Sequence, residues 1–162
     1  MIRQLMLNGA FLAALGTGLI AGTFFAFSTF IMSALARLPA PQGIAAMQAI
    51  NVTVFHPLFM GVLFGTALLC VALIVLAFPR WSDPGALWVI AGGLLYVVGS
   101  ILVTIFFNVP RNDALAAVNP ASAEAAALWG RYVPEWTFWN HVRGIAAIAA
   151  CASFVMAGRV GL

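Results

Sequence analysis

Residues 7–36 read LNGAFLAALGTGLIAGTFFAFSTFIMSALA and contain no charged side chain. A helix needs about 20 mostly apolar residues to cross the hydrocarbon core of a bilayer, and this stretch is longer than that. The apolar core of a signal peptide spans only about 7–15 residues. We therefore expect a retained transmembrane helix over residues 7–35 rather than a cleaved signal.

Three further apolar segments are long enough to cross a membrane, and they occupy residues 56–78, 86–107 and 136–156. Pro79, Pro84 and Gly85 interrupt the helical pattern between the second and third of the four segments. The sequence therefore predicts an all-α fold, an integral membrane four-helix bundle that forms one domain over residues 1–162.

The two longer connections carry short helical patterns of their own. Residues 43–51 follow the first segment and residues 122–132 precede the fourth, and both mix apolar and polar positions with helical periodicity. We expect each of these two segments to form a short interfacial helix at the membrane surface.

The composition supports a membrane protein and argues against nucleic acid binding. Hydrophobic residues make up 64% of the 162 residues and charged residues 7%, with a mean hydropathy of +1.09, whereas soluble domains carry about 25% charged residues. The net charge of +3 comes from arginines that are scattered singly, so no basic tract is present to follow a phosphate backbone. Membrane lipid and a lipophilic small molecule are the expected partners.

Small residues recur at intervals of four in the first two segments, at Ala14, Gly18, Gly22, Ala26, Gly61 and Gly65. Such spacing lets helix backbones approach closely within a membrane. We expect these contacts inside the bundle, with a homo-oligomer as the alternative. Cys70 and Cys151 lie in apolar surroundings without a CxxC motif, which indicates small apolar packing residues.

Polar residues are concentrated at one end of the predicted bundle. In a four-span topology, the end of the first span, the start of the second, the end of the third and the start of the fourth share one membrane face. Those stretches carry Asn51, His56, Asn108, Asn112, Asp113, Trp136, Trp139, Asn140, His141 and Arg143. Because ionisable groups within spans usually face the interior and mark a functional site, we predict such a site at this face.

Structural explanations are available for individual members of this set. Trp136 and Trp139 suit an interfacial aromatic belt, and Arg143 suits a clamp to a nearby carboxylate. Asn108 suits a helix cap, and His56 precedes a proline that is favoured in the first turn of a helix. His141 is the member that such explanations fit least, because it lies within a span.

Three segments resemble the anthrone oxygenase-like membrane proteins (the DUF1772 family): MQAINVTVFHPLF at residues 47–59, FFNVPRNDALA at 106–116 and EWTFWNHVRGIAA at 135–147. The family pattern matches Asn51, Pro57, Asn108, Pro110, Asn112, Trp139, Asn140, His141 and Arg143, whereas the position of His56 is often Asn in the family. The resemblance implies that molecular oxygen oxidises an anthrone-type polyketide to the quinone.

The predicted catalytic residues follow from that chemistry, because an anthrone has an acidic methylene hydrogen and its anion reacts with oxygen without a metal. His141 is the candidate general base, since a free imidazole titrates near pH ~6.5. Asp113 is expected to orient His141 or to hold Arg143. The groups predicted to stabilise the oxyanion are Arg143, Asn140 and Asn112, with Asn108 as a further catalytic candidate.

Trp136 and Trp139 are the candidate substrate-binding residues, because their flat faces suit a polycyclic aromatic molecule. Asn51 is a third candidate. A site near the bilayer surface also suits an apolar substrate that partitions into lipid.

Two alternatives stay open from the sequence. His56 and His141, with Asp113 as a third donor, are similar to the two-histidine, one-carboxylate set of non-haem iron oxygenases, and the same histidines suit copper or a haem axial position; the other option is no cofactor. The second alternative is a non-enzymatic membrane protein, either a carrier or a structural subunit, in which the polar residues form a binding site or a clasp between helices.

The arginines give an expectation for the orientation in a bacterial-type inner (plasma) membrane. Arg3, Arg80 and Arg159 flank one face, whereas four others flank the polar face. If those four serve the site and its loops, the positive-inside rule places both termini in the cytoplasm.

Overall fold

A computed structural model describes residues 2–161, which are helical apart from short turns. The five helices are α1 (Ile2–Ala36), α2 (Ala40–Thr53), α3 (Pro57–Arg80), α4 (Pro84–Ala116) and α5 (Ala123–Val160). All except α2 are long and apolar enough to cross a membrane. These helices confirm the predicted all-α membrane bundle. Met1 and Leu162, the two ends of the predicted domain, lie outside the described residues.

The four long helices pack in a ring, in which α1 contacts α5 and α3, and α4 contacts the same two helices. The α3 and α5 helices therefore lie diagonally opposite each other. Their shared core is built from small and aliphatic side chains, together with the ring of Tyr96. The Tyr96 hydroxyl donates a hydrogen bond to the Leu63 carbonyl at 3.2 Å, which joins α4 to α3.

The long helices extend beyond the predicted spans, most clearly at the end that carries the polar residues. The α4 helix continues to Ala116, and α5 starts at Ala123, so residues 122–132 are the first turns of α5 and not a separate helix. Ser122 caps this start by accepting a hydrogen bond from the Ala125 N–H at 3.1 Å. With 38 residues, α5 is about 57 Å long at 1.5 Å per residue, well beyond the roughly 30 Å of a hydrocarbon core.

The projecting ends form a second packed unit, here called the cap, which consists of α2, the end of α4 from Val109 and the start of α5 up to Glu135. Its apolar cluster contains Ile44, Met47, Leu115, Trp129 and Tyr132, all buried. Gln48 of α2 donates hydrogen bonds from Nε2 to the Leu115 carbonyl at 2.8 Å and the Val118 carbonyl at 3.1 Å. The short helix predicted after the first span is thus α2, and it covers the end of the bundle.

Three π-helical turns interrupt the long helices near the same end, at Phe27–Ile31 in α1 and at Val97–Leu102 and Thr104–Asn108 in α4. Such turns have i→i+5 hydrogen bonds, are rare, and occur frequently at functional sites. Here they place the side chains that meet α5.

The predicted stripe of small residues packs differently from the expectation. An added Cβ at Gly22, Gly61 or Gly65 would meet no heavy atom within 4 Å, so the expected internal contacts at these glycines are wrong. The face of α3 that the bundle buries instead carries Leu63, Thr66, Cys70, Leu73 and Ala77. Close approach occurs at Gly16 of α1, where an added Cβ would overlap the Thr66 side chain of α3.

We predict that Gly16→Ala destabilises the protein by about 1–3 kcal/mol, the usual range for an overpacked core. The added methyl group would overlap both Oγ1 and Cγ2 of Thr66, whose short branched side chain cannot move away without a shift of the helices. The measurement is thermal unfolding of the detergent-solubilised protein.

Gly65→Ala is the matched control, since Gly65 has open space around it and alanine is favoured over glycine inside a helix by about 0.5–1 kcal/mol. Its melting temperature should stay constant or rise slightly. Equal melting temperatures for the two variants would contradict the described α1–α3 packing.

Candidate functional site

A cavity of about 160 Å³ lies at the junction of the bundle and the cap. All five helices contribute to its wall, which is mostly aliphatic and aromatic. Its polar lining residues are Thr23, Asn51, Thr104, Asn112 and Arg143. A mostly apolar pocket with a few convergent polar groups is the usual form of a small-molecule site.

Arg143 provides the only cationic side chain of the cavity wall. Its Nε and Nη2 both donate to Oδ1 of Asn140, at 3.0 and 2.8 Å, and its Nη1 donates to Oγ1 of Thr104 at 3.2 Å. The guanidinium carbon also lies 4.2 Å from the ring centroid of Phe24 and 4.9 Å from that of Trp136. These rings contribute cation–π attraction to a charge that is removed from water.

Arg143 is only 7% exposed, yet within residues 2–161 it forms no ion pair with a carboxylate. An ion pair does form at the surface of the cap, where Nη2 of Arg111 lies 3.0 Å from Oε2 of Glu135. A buried charge is costly unless it is paired. The site is therefore electrostatically suited to an anion.

Asn140 fixes the position of the arginine. Its Nδ2 donates to the Phe24 carbonyl at 2.7 Å and to Oγ of Ser28 at 2.6 Å, both in α1. Because the Nδ2 side is directed at α1, Oδ1 must face Arg143. Asn140 is fully buried and acts as a positioning residue behind the cavity wall.

Polar residues at four-residue intervals join α4 to α5, namely Ser100, Thr104, Asn108 and Asn112. A step of four residues overshoots a full α-helical turn by about 40°, so such a stripe normally winds away from its neighbour. The π-helical turns of α4 hold more residues per turn and offset this drift. Ser100 Oγ consequently donates to the Arg143 carbonyl at 2.9 Å, and Thr104 meets the guanidinium of the same residue.

The stripe continues toward the cap and fixes the aromatic wall. Asn108 donates from Nδ2 to the Trp136 carbonyl at 3.2 Å. Asn112 accepts two hydrogen bonds at Oδ1, from the Tyr132 hydroxyl at 2.9 Å and from Nε1 of Trp136 at 2.8 Å. The indole is thereby fixed with one face toward Arg143.

Asn51 contributes an amide donor to the cavity. Its Nδ2 is buried and has no hydrogen-bond partner in the described chain, and its side chain lies beside the Tyr132 hydroxyl. An amide donor and a guanidinium therefore line the same apolar space. Both favour an oxyanion over a cation.

His141, the predicted general base, lies outside the cavity. It is exposed on α5 and lines a separate shallow recess with Ser28, Ser33 and Thr137. Successive residues of an α-helix are about 100° apart, so the inward orientation of Asn140 turns His141 outward. Asp113 is also exposed and does not line the cavity.

The predicted metal ligands are not brought together either. His56 is exposed at the start of α3, where its Nδ1 accepts a hydrogen bond from the Leu58 N–H at 3.3 Å. No three His, Cys, Asp or Glu side chains of residues 2–161 are grouped as a metal site requires. The expected set of His56, His141 and Asp113 is thus not assembled, because its members lie on different helices and face away from the cavity.

Of the two tryptophans predicted to bind the substrate, one lines the cavity and the other does not. Trp136 lines the cavity, whereas Trp139 stacks on Phe107 with ring centroids 3.6 Å apart and is not part of the wall. The sequence interpretation missed Thr104, Ser100 and Ser28. The four-residue spacing of the polar residues in α4 is the signal by which the first two are detectable.

A family model described as anthrone oxygenase matches residues 55–153, which include α3, α4 and most of α5. Neither the curated proteins nor the solved structures give a significant match. The matched range contains Thr104, Asn112, Trp136, Asn140 and Arg143. On the extent of this match, more than half of the chain, the protein belongs to the anthrone oxygenase family.

Proposed function

We propose that this protein is a membrane-embedded oxygenase that uses molecular oxygen to convert an anthrone-type phenol into the corresponding quinone. The observation that carries the proposal is the buried Arg143 guanidinium, which faces an aromatic cavity and has no carboxylate partner among residues 2–161. A planar aromatic molecule with one anionic oxygen is complementary to both features.

The reaction is balanced without a further co-reactant. The methylene carbon of the anthrone loses a proton, and the negative charge of the resulting carbanion is delocalised onto the oxygen of the carbonyl group in the same ring. Oxygen adds to that carbon, and uptake of a proton gives a hydroperoxide. Cleavage of its O–O bond, with loss of the remaining hydrogen from the carbon, releases water and forms the second carbonyl. In sum, anthrone and O₂ give quinone and H₂O.

The role of the chain in this scheme is to stabilise the substrate anion. Arg143 and Nδ2 of Asn51 supply hydrogen bonds and charge to the oxyanion in a site of low dielectric constant, where such interactions are strongest. Within the described residues, no carboxylate or imidazole lines the cavity. We therefore propose that the methylene carbon of the bound anthrone is more acidic than that of the free molecule, and that its proton passes to water and not to a side chain of the wall.

We predict that Arg143→Gln lowers the rate of quinone formation at least about 100-fold, the usual effect of removing one oxyanion donor. Arg143→Lys should retain part of the activity, because an ammonium keeps the charge but cannot reproduce the planar set of donors. The measurements are oxygen consumption and quinone absorbance with an anthrone substrate in detergent.

Arg159→Gln is the matched control, since Arg159 lies exposed in the last turn of the same helix. Thermal melts of all three variants separate the oxygenase from a purely structural clasp. A folded Arg143→Gln protein with undiminished activity would rule out the proposed role of this residue. If the wild-type protein shows no turnover and Arg143→Gln only lowers the melting temperature, the non-enzymatic alternative is favoured.

A change at His141 separates this scheme from one with a histidine base. Because His141 does not line the cavity, we predict that His141→Gln changes the rate less than about threefold, whereas loss of a general base typically costs about 10²–10⁴-fold. The same oxygen-consumption assay measures the effect. A loss of two orders of magnitude in a stably folded His141→Gln protein would restore the general-base role.

The orientation in the membrane is proposed on the same grounds. Arg111 pairs with Glu135, and Arg143 faces the cavity, so these two arginines have local roles and are set aside in the positive-inside count. The arginines that remain in the count are more numerous at the face that carries the two termini. This favours cytoplasmic termini in a plasma membrane of the bacterial type, with the cap on the outer side.

A further inference from the structure

We propose that the substrate enters the cavity sideways from the lipid bilayer, through a gap between α3 and α4, and not from water through the cap. The identity of the substrate as a lipophilic phenol rests on the proposed function. The route itself rests on three observations: the closed cap, the separation of two helices, and the exposure of part of the cavity wall.

The cap closes the aqueous end of the cavity to a molecule as large as an anthrone. Met47 lines the cavity from the cap side and is fully buried, as are Ile44 and Leu115 behind it. Gln48 ties α2 to the end of α4 through two backbone carbonyls. An approach from water would have to disrupt this apolar cluster and both of those hydrogen bonds.

The gap lies where α3 and α4 stop packing against each other. Their contacts involve the first part of α4, Pro84–Tyr96, and to a smaller extent the π-helical turn Val97–Leu102, whereas Thr104–Asn108 packs on α5. Toward the cap, the start of α3 and the end of α4 therefore face each other across the cavity.

The residues that line this gap belong to the cavity wall and are also exposed on the outside of the bundle. Within the spans the exposed fractions are 48% for Phe64 and 44% for Ile105, and at the junction with the cap they are 72% for Phe55 and 39% for Val109. At these positions a single layer of side chains separates the cavity from the exterior, and this is where we place the opening. Phe64 lies about 10 Å along α3 from Pro57 at 1.5 Å per residue, which places the opening at the depth of the hydrocarbon region.

The chemistry of the opening selects its occupant. The four side chains at the gap are apolar, so a hydrated ion would have to lose its water there without compensation. A planar aromatic molecule dissolved in the bilayer loses nothing comparable. It meets Arg143 and the Asn51 amide only at the inner end, where its oxygen becomes anionic.

The test uses the purified protein in phosphatidylcholine vesicles and a hydroxyanthraquinone, a planar phenol that resembles the product and is not oxidised further. Stopped-flow measurement of the ligand's own fluorescence gives the association and dissociation rates. Ile105→Trp should slow both rates at least tenfold, because a narrowed opening impedes entry and exit alike. Val98→Trp is the matched control, since Val98 is exposed in a π-helical turn of the same helix and does not line the cavity.

A second pair of variants is expected to change the association and dissociation rates in the opposite direction. It keeps the test valid if Ile105→Trp does not fold. Phe64→Ala widens the opening and should accelerate both rates severalfold, whereas Leu68→Ala, on the same helix and away from the cavity, should not. Rates that match those of the controls would overturn the lateral route, as would a change in the dissociation rate alone. If the variants change the binding rates as predicted but the protein consumes no oxygen with an anthrone, the proposed function is refuted and the lateral route is supported.

Discussion

A positive charge inside a membrane protein, with no carboxylate paired to it in the part of the chain that the structure describes, is the constraint on which the rest of the structure depends. Arg143 is kept there by neutral groups: one amide oxygen that accepts two of its hydrogen bonds, one hydroxyl, and two aromatic faces. None of these neutral groups cancels the positive charge as a carboxylate would. The incomplete compensation leaves an attraction for an anion, and that attraction is the strongest chemical property of the cavity.

The neutral partners of the guanidinium come from three helices, namely α1 (Phe24), α4 (Thr104) and α5 itself (Asn140 and Trp136). Asn140 takes its orientation from α1, Thr104 comes from α4, and Trp136 is fixed through Asn112. The π-helical turns of α1 and α4 lie at this level of the bundle. The irregular turns and the polar stripe of α4 are therefore one feature, in which helix geometry is adjusted so that side chains spaced by four residues all meet α5.

Hydropathy and length were sufficient to predict the four spans, because the cost of exposing backbone and charge to lipid allows few alternatives. The residues of the cavity were harder to predict. Helical periodicity shows that Asn140 and His141 point in different directions, but not which of them faces the cavity, and the structure places Asn140 inward and His141 outward. Thr104 and Ser100 were not predicted, because hydroxyl groups in a span commonly form hydrogen bonds within their own helix. No sequence signal predicted the π-helical turns.

The cavity wall contains one guanidinium, amides and hydroxyls, and within the described chain it has no imidazole or carboxylate. None of these groups ordinarily titrates near neutral pH. For the proposed oxidation, a change of the rate with pH in that range would then reflect ionisation of the substrate and not of the wall. The pH profile of that reaction would in this way report the acidity of the molecule that is oxidised.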